Sequence, residues 1–168
     1  METSEVGTQE RRRAARALAG AAVEELQDLW SAWSVPTEVE YLREPEAGLV
    51  MVQGRIGGAG DRFNLGEATV TRATVKVTLP ATDAHPAEEA VGTSYVLGSH
   101  PDHAGLAAIF DALLVAGRTR DAVLAEVITP LETRQETADE RKRREGKATV
   151  VDFFTVAREN SGDEEDEE

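Results

Sequence analysis

Residues 67–79, EATVTRATVKVTL, carry the clearest strand pattern in the chain. The apolar residues of this alternation are Ala73, Val75, Val77 and Leu79, and the polar ones are Arg72, Thr74, Lys76 and Thr78. Successive side chains of a strand point to opposite faces, so the pattern predicts one buried face and one polar face. The chain must therefore fold around a sheet.

Three other segments also predict strands, at residues 37–44, 49–56 and 91–98. The first two are separated by the turn sequence EPEAG, in which Pro45 fixes φ and Gly48 allows the chain to leave the turn. Residues 49–52 form a continuous apolar run, which is typical of a strand covered on both faces. Because the connections are short, we predict a four-stranded antiparallel meander.

Helical periodicity flanks the predicted sheet. Residues 10–33 place apolar side chains at spacings of four, four, three and four, which predicts one N-terminal helix. A second helix opens near Ser99 and Asp102, which have capping-box spacing, and closes at Gly117. A third helix starts near Thr119, and Pro130 interrupts it and can restart a helix at its first turn. The sequence thus predicts an α+β fold, with a single domain over residues 10–131.

The C-terminal part of the chain has a different character. Residues 132–148 favour a helix but are polar on all sides, so we do not expect this helix to pack on its own domain. An apolar cluster with Val151, Phe153 and Phe154 follows within residues 149–156. It either folds back onto the core or forms a C-terminal arm that binds a partner. We expect residues 1–9 and the acidic residues 161–168 to be disordered.

Charge and composition exclude several classes of protein. The net charge of −14 argues against binding along a nucleic acid backbone, which needs clustered cations. The absence of cysteine excludes disulfides, thiolate metal sites and a cysteine nucleophile. No apolar run approaches the roughly 20 residues of a membrane helix, and the N-terminus lacks the pattern of a secretory signal. We therefore expect a cytoplasmic protein.

The glycine-rich stretch RIGGAGDRFNLGEATVTRA, residues 55–73, matches neither a Walker loop nor a dinucleotide fingerprint, since Phe63 stands where the third glycine belongs. Two interpretations remain open. The glycines shape a hairpin connection, or their amides form an anion site with nearby arginines. The candidate substrate-binding residues are Arg55, Gly57, Gly58, Gly60, Arg62 and Arg72.

The histidines do not define a metal site. His100 and His103 are three residues apart at a helix start, but no third ligand of similar quality is near them. His103 is a candidate acid or base, or a hydrogen-bond donor to an anion at the helix N-terminus. The alternative is a capping or surface histidine. No Ser-His-Asp set is visible, so we predict no self-sufficient active site.

Three stretches together closely resemble the PhnG subunit family of the bacterial carbon–phosphorus lyase system. They are EAGLVMVQGRIGGAGDRFNLGEATVTRATV, YVLGSHPDHAGLAAIFDAL and VDFFTVAR, and they occur in the family's order. The resemblance covers residues 37–158. Residues 80–90 look like an insertion, and the first nine residues and the acidic tail look like additions.

The resemblance implies a non-autonomous subunit of a transferase that works with PhnH-, PhnI- and PhnJ-type subunits and, transiently, a PhnL-type subunit. In this complex methylphosphonate displaces adenine from carbon 1 of the ribose of Mg-ATP, giving α-D-ribose 1-methylphosphonate 5-triphosphate. A later radical step breaks the carbon–phosphorus bond. The chain alone is expected to bind no cofactor. The glycines and arginines named above and His103 match family positions, near substrate or at a subunit contact. The alternative is a purely structural scaffold.

Overall fold

The computed structural model describes residues 7–148, with the side chains placed up to Gly146. The elements in chain order are α1 (Thr8–Ala19), α2 (Val23–Ala32), β1 (Glu38–Arg55), β2 (Arg62–Leu79), β3 (Glu88–Leu97), α3 (Pro101–Val115), α4 (Arg120–Ala122) and α5 (Thr129–Ala148). The described residues thus form an α+β fold. Its helices lie on one side of an antiparallel sheet.

Among residues 7–148 the sheet has three strands in the order β1-β2-β3, where the sequence predicted four. The two strands predicted on either side of EPEAG are one strand, β1, of 18 residues. The register between β1 and β2 shifts between Arg43 and Glu46, so Pro45 lies in an irregular part of an edge strand. Proline is tolerated there because an edge strand lacks a second ladder partner. β3 begins at Glu88, inside the predicted loop 80–90.

The alternation predicted for β2 is confirmed. Thr71, Ala73, Val75, Val77 and Leu79 are buried, whereas the residues between them are exposed or half-buried. α3 covers this face, and its residues Ile109, Phe110, Leu113 and Leu114 are buried, whereas Leu106 is half-buried. Phe110 fills the centre, with the rings of Trp30 and Trp33 edge-on to it at 6.1 and 6.2 Å. Burial of these apolar side chains is the main favourable term in folding.

The predicted single helix over residues 10–33 is two helices. α1 ends at Ala19, where the N–H of Gly20 donates to the carbonyl of Arg16, and α2 begins at Val23. The break lets Leu18 of α1 and Leu26 of α2 both enter the core.

The last helix is continuous through Pro130, where the sequence predicted an interruption. A π-helical turn, Val123–Ile128, connects α4 to α5 and precedes the proline. Because a proline ring displaces the carbonyl four residues before it, the wider turn accommodates the ring without ending the helix. The first turns of α5 also pack on the domain, contrary to the prediction. Leu131, at the end of the predicted domain, is buried, and within the predicted polar helix Gln135 Nε2 donates to the carbonyl of Ala17 at 2.7 Å.

The β1–β2 hairpin extends beyond the rest of the sheet. β3 ends at Leu97, which pairs with Val70, so residues 49–55 and 62–69 continue as two strands. We call these residues and their turn the ribbon. Its exposed large apolar residues are Leu49, Val50, Met51, Val52, Ile56, Phe63 and Leu65. Within residues 7–148, no helix is both long and apolar enough to cross a membrane.

Candidate functional site

The tip of the ribbon is a glycine turn. Gly57 and Gly58 have φ of 59° and 81°, in the left-handed region that favours glycine. The N–H of Gly60 donates to the carbonyl of Ile56 at 2.8 Å, and the N–H of Ile56 donates to the backbone carbonyl of Asp61 at 3.3 Å. The predicted hairpin role of these glycines is therefore confirmed.

Two arginines face each other at this tip. Arg55 and Arg62 are direct cross-strand partners, so both side chains point to the same face. Arg55 Nη1 donates to the carbonyl of Gly60 at 3.2 Å, and among residues 7–148 no carboxylate pairs with either guanidinium. Like charges placed opposite each other repel, and an external anion would relieve this repulsion. The arrangement is thus suited to receive an anionic group.

Arg72 lies elsewhere and already has an anionic partner. Its Nε and Nη2 donate to Glu46 Oε1 at 2.8 and 2.6 Å, and Arg43 Nη1 donates to the same oxygen at 2.8 Å. The hydrogen bond from Arg72, and to a smaller extent the one from Arg43, holds the pKa of Glu46 below its ordinary value. Ten residues separate Arg72 from Arg62, about 33 Å along a strand. The structure does not bring Arg72 to the tip.

His103 is on the covered side of the sheet, near the start of α3. It is 7% exposed, and its Nε2 lies 2.8 Å from the carbonyl oxygen of Leu18. Since a carbonyl oxygen can only accept, Nε2 carries the proton, and the bond joins α3 to α1. His100 is exposed beside it, and within the described residues no group of three potential ligands could hold a metal.

One open cleft is lined by none of these residues. It lies between α1 and α5, with a volume of about 540 Å³, and is lined by residues that include Arg12, Arg13, Glu132 and Asp139. Arg13 bonds to Glu132 across the cleft. The cleft contains none of the predicted site residues and joins two helices through charges that already neutralise each other. We assign it a structural role.

Sequence reasoning missed the exposure of the ribbon. The apolar run at residues 49–52 predicted a strand covered on both faces, yet Leu49 and Met51 are 65% and 53% exposed. Within residues 7–148 nothing covers this run, so the prediction of burial on both faces is wrong for the described part of the chain. The predicted partner interface Val151, Phe153 and Phe154 falls outside the described residues and stays a prediction.

Comparison with known proteins places the chain in a family. The family model described as "Phosphonate metabolism protein PhnG" matches residues 9–159. A relative from Rhizobium meliloti (strain 1021) is 44% identical over 156 residues, covering 93% of this chain and 94% of the relative. That relative is named alpha-D-ribose 1-methylphosphonate 5-triphosphate synthase subunit PhnG. With the three resembling stretches all inside the matched region, the chain belongs to the PhnG family of phosphonate metabolism proteins.

Proposed function

We propose that this chain is a subunit of α-D-ribose 1-methylphosphonate 5-triphosphate synthase in the carbon–phosphorus lyase core complex. The observation that carries the proposal is the 44% identity, nearly end to end, with a relative named as that subunit. The reaction transfers the ribose triphosphate of Mg-ATP from adenine to methylphosphonate. The stable partners of this chain are PhnH-, PhnI- and PhnJ-type chains, and a PhnL-type chain binds transiently. We place the complex in the cytoplasm, where ATP is available.

The chain contributes to this transferase without being active alone. His103 is bound to Leu18 and Arg72 to Glu46, so both side chains are engaged in the fold. Within residues 7–148 the structure assembles no nucleophile and base in contact with each other. The acid–base groups for displacing adenine therefore come from other subunits.

We assign the tip of the ribbon to the substrate anions. Displacing adenine builds positive charge at the sugar while a triphosphate and a phosphonate must be held in line. Arg55 and Arg62 present two guanidiniums on one face, beside the turn at Gly57, Gly58 and Gly60. A guanidinium matches the geometry of phosphate oxygens, and Mg²⁺, a part of the substrate, neutralises other oxygens.

A purely structural scaffold is the second candidate. The observation that favours it is the large exposed apolar surface of the ribbon, which suits subunit contact rather than substrate binding. In that case Arg55 and Arg62 bind acidic residues of a neighbouring subunit. The two candidates differ in what the arginines do once the complex has assembled.

The test is co-expression with the neighbouring open reading frames and purification on a tag attached to this chain. The purified complex should release adenine from Mg-ATP only when methylphosphonate is present, with the triphosphate product visible by phosphorus NMR. Absence of partners or of product would contradict the proposal.

Arginine variants separate the two candidates. We expect Arg62→Ala to assemble normally and to lose about 100-fold in turnover. Arg72→Ala, in the same strand but bound to Glu46, is the matched control and should change turnover little. Unchanged turnover in Arg62→Ala and Arg55→Ala would favour the scaffold. An equal loss in Arg72→Ala would return that residue to the substrate site.

A further inference from the structure

The ribbon carries apolar side chains on both of its faces. Residues directly opposite each other across two strands share a face, and alternate residues along a strand change face. Leu49 and Met51, opposite Thr69 and Glu67, therefore lie on one face at 65% and 53% exposure. Val50 and Val52, opposite Ala68 and Gly66, lie on the other at 43% and 37% exposure. Covering one face would leave the other apolar face in water.

The ribbon also has an unpaired edge. On the side of β1 away from β2, no strand pairs with it among the described residues. Residues 47–52, AGLVMV, contain no charge and no proline, and their pairing with β2 is regular from Glu46 to Val52. A regular apolar edge of this kind pairs readily with other chains, and a hairpin of two strands is marginally stable alone. The ribbon thus needs a permanent covering partner.

A second copy of this chain does not meet that need. Two ribbons stacked face to face would each bury one apolar face and leave the other exposed. Each copy also has a net charge of −14, which opposes close self-association. A cleft in a different chain can cover both faces and the edge at once. Since the tip presents Arg55 and Arg62, the inner end of that cleft must be anionic.

We infer that the ribbon inserts into an apolar cleft of a different subunit of the synthase. Insertion puts Arg55 and Arg62 at the inner end of the cleft, beside the anionic substrate bound by that subunit. The inference rests on the proposed function and adds to it the docking surface and the chemistry of the partner. It is independent of the C-terminal segment with Phe153 and Phe154.

Cysteine accessibility tests the insertion directly, because the chain contains no cysteine. Met51→Cys and Val50→Cys report on the two faces of the ribbon, and Leu97→Cys, at a 73% exposed position of β3, is the control. Each assembled complex is alkylated with N-ethylmaleimide, and the rate is divided by that of the urea-unfolded chain. We expect both ribbon thiols to react about tenfold or more slowly relative to the control. Protection of one face alone, or of neither, would overturn the inference.

Co-purification of charged variants gives a second readout. Leu65→Lys should lower the yield of bound partner about tenfold, whereas Leu97→Lys should retain it. Leu65 and Leu97 are 62% and 73% exposed, so both variants should keep the circular dichroism and unfolding midpoint of the parent. Normal assembly of Leu65→Lys, or equal loss in both variants, would contradict insertion.

Failure of this inference can be distinguished from failure of the proposed function. If the unmodified chain recovers no partner and no product, the proposed function is wrong. If the unmodified complex forms and makes product while the Leu65→Lys complex does so equally, only the insertion is wrong. Ribbon thiols protected in a homodimer of this chain would identify a second copy as the occupant and would also overturn the inference.

Discussion

The guanidinium of Arg11 binds both carboxylate oxygens of Asp111, with Nε 3.0 Å from Oδ1 and Nη2 2.7 Å from Oδ2. The same carboxylate accepts the backbone N–H of Thr93 at 2.8 Å. Asp111 is 3% exposed and lies in the apolar helix α3, so one buried charge joins α1, α3 and β3. Hydrogen bonding to Asp111 raises the pKa of Arg11 above its ordinary value.

Replacing Asp111 with alanine should destabilise the fold by about 2–3 kcal/mol. The substitution leaves the N–H of half-buried Thr93 without its acceptor. The Arg11 side chain is 43% exposed and becomes hydrated in the variant, so the loss of its ion pair adds little to the destabilisation. Urea unfolding followed by circular dichroism measures the change. Glu132→Ala, which breaks an exposed pair with Arg13, is the control and should cost much less, and equal losses would contradict the role given to burial.

Gly92→Ala should destabilise the chain by about 2–3 kcal/mol through overpacking. A Cβ atom at Gly92 would lie 2.2 Å from both the carbonyl oxygen of Ala108 and the backbone nitrogen of Ala112, so β3 and α3 would have to separate. Gly48→Ala is a matched control in β1, since a Cβ there meets nothing within 4 Å. Thermal unfolding compares the two variants. A stable Gly92→Ala chain would show that α3 can shift at little cost.

His103→Phe should lower stability while leaving turnover per assembled complex unchanged. The variant keeps a ring in the core but removes the hydrogen bond from Nε2 to the carbonyl of Leu18, which keeps only the N–H of Ala21 at 3.4 Å, a loss of about 1–2 kcal/mol. The measurements are the unfolding midpoint of the chain and adenine release by the purified complex. His100→Phe, at an exposed neighbour, is the control. A complex that assembles fully but loses turnover would instead support His103 as a catalytic acid or base.

The Glu46 cluster should make stability fall in acid. Because Arg72 and Arg43 hold the folded pKa of Glu46 below its ordinary value of 4.5, the carboxylate stabilises the fold above that pH. This contribution is lost as pH falls through the lower folded pKa. The difference in urea midpoint between the parent and Glu46→Gln should therefore be constant at neutral pH and shrink below about pH 4.5. A difference that is independent of pH would show that the cluster contributes no net charge interaction.

The double variant Phe153→Ala and Phe154→Ala tests the second predicted docking element. If the C-terminal segment binds a partner, the variant should no longer co-purify with the other subunits, although the chain itself should unfold at the parental midpoint. Assembly at normal stoichiometry would show that the segment is not required. Comparison with Leu65→Lys then separates the contributions of the ribbon and the C-terminal segment.

The buried face of the sheet was predictable because β2 is covered on one side only. Its alternation from Thr71 to Leu79 follows directly from that asymmetry. β1 was less predictable, since Pro45 normally signals a turn and the edge position that tolerates it depends on the topology. The break at Gly20 was missed for a similar reason, because residues 10–33 keep an apolar stripe on both sides of it.

The candidate site was only partly predictable. The positive φ of Gly57 and Gly58 follows from their place between two strands, and the pairing of Arg55 with Arg62 follows from the turn. The ion pair between Arg72 and Glu46 could not be predicted, because the two residues are 26 positions apart in sequence. Their proximity depends on the register between β1 and β2. The apolar run in β1 could not show which surface packs against it, because the same sequence pattern fits packing against a helix of the same chain or against another subunit.

The final helix determines where the C-terminal segment starts. Leu131 anchors α5 in the core, and residues 139–146 are exposed on the far side of that anchor. From Leu131 to Ala148 the helix rises about 25 Å. It therefore acts as a stiff spacer between the domain and residue 149. Shortening or lengthening its exposed part would move the start of the C-terminal segment by about 1.5 Å per residue along the helix axis.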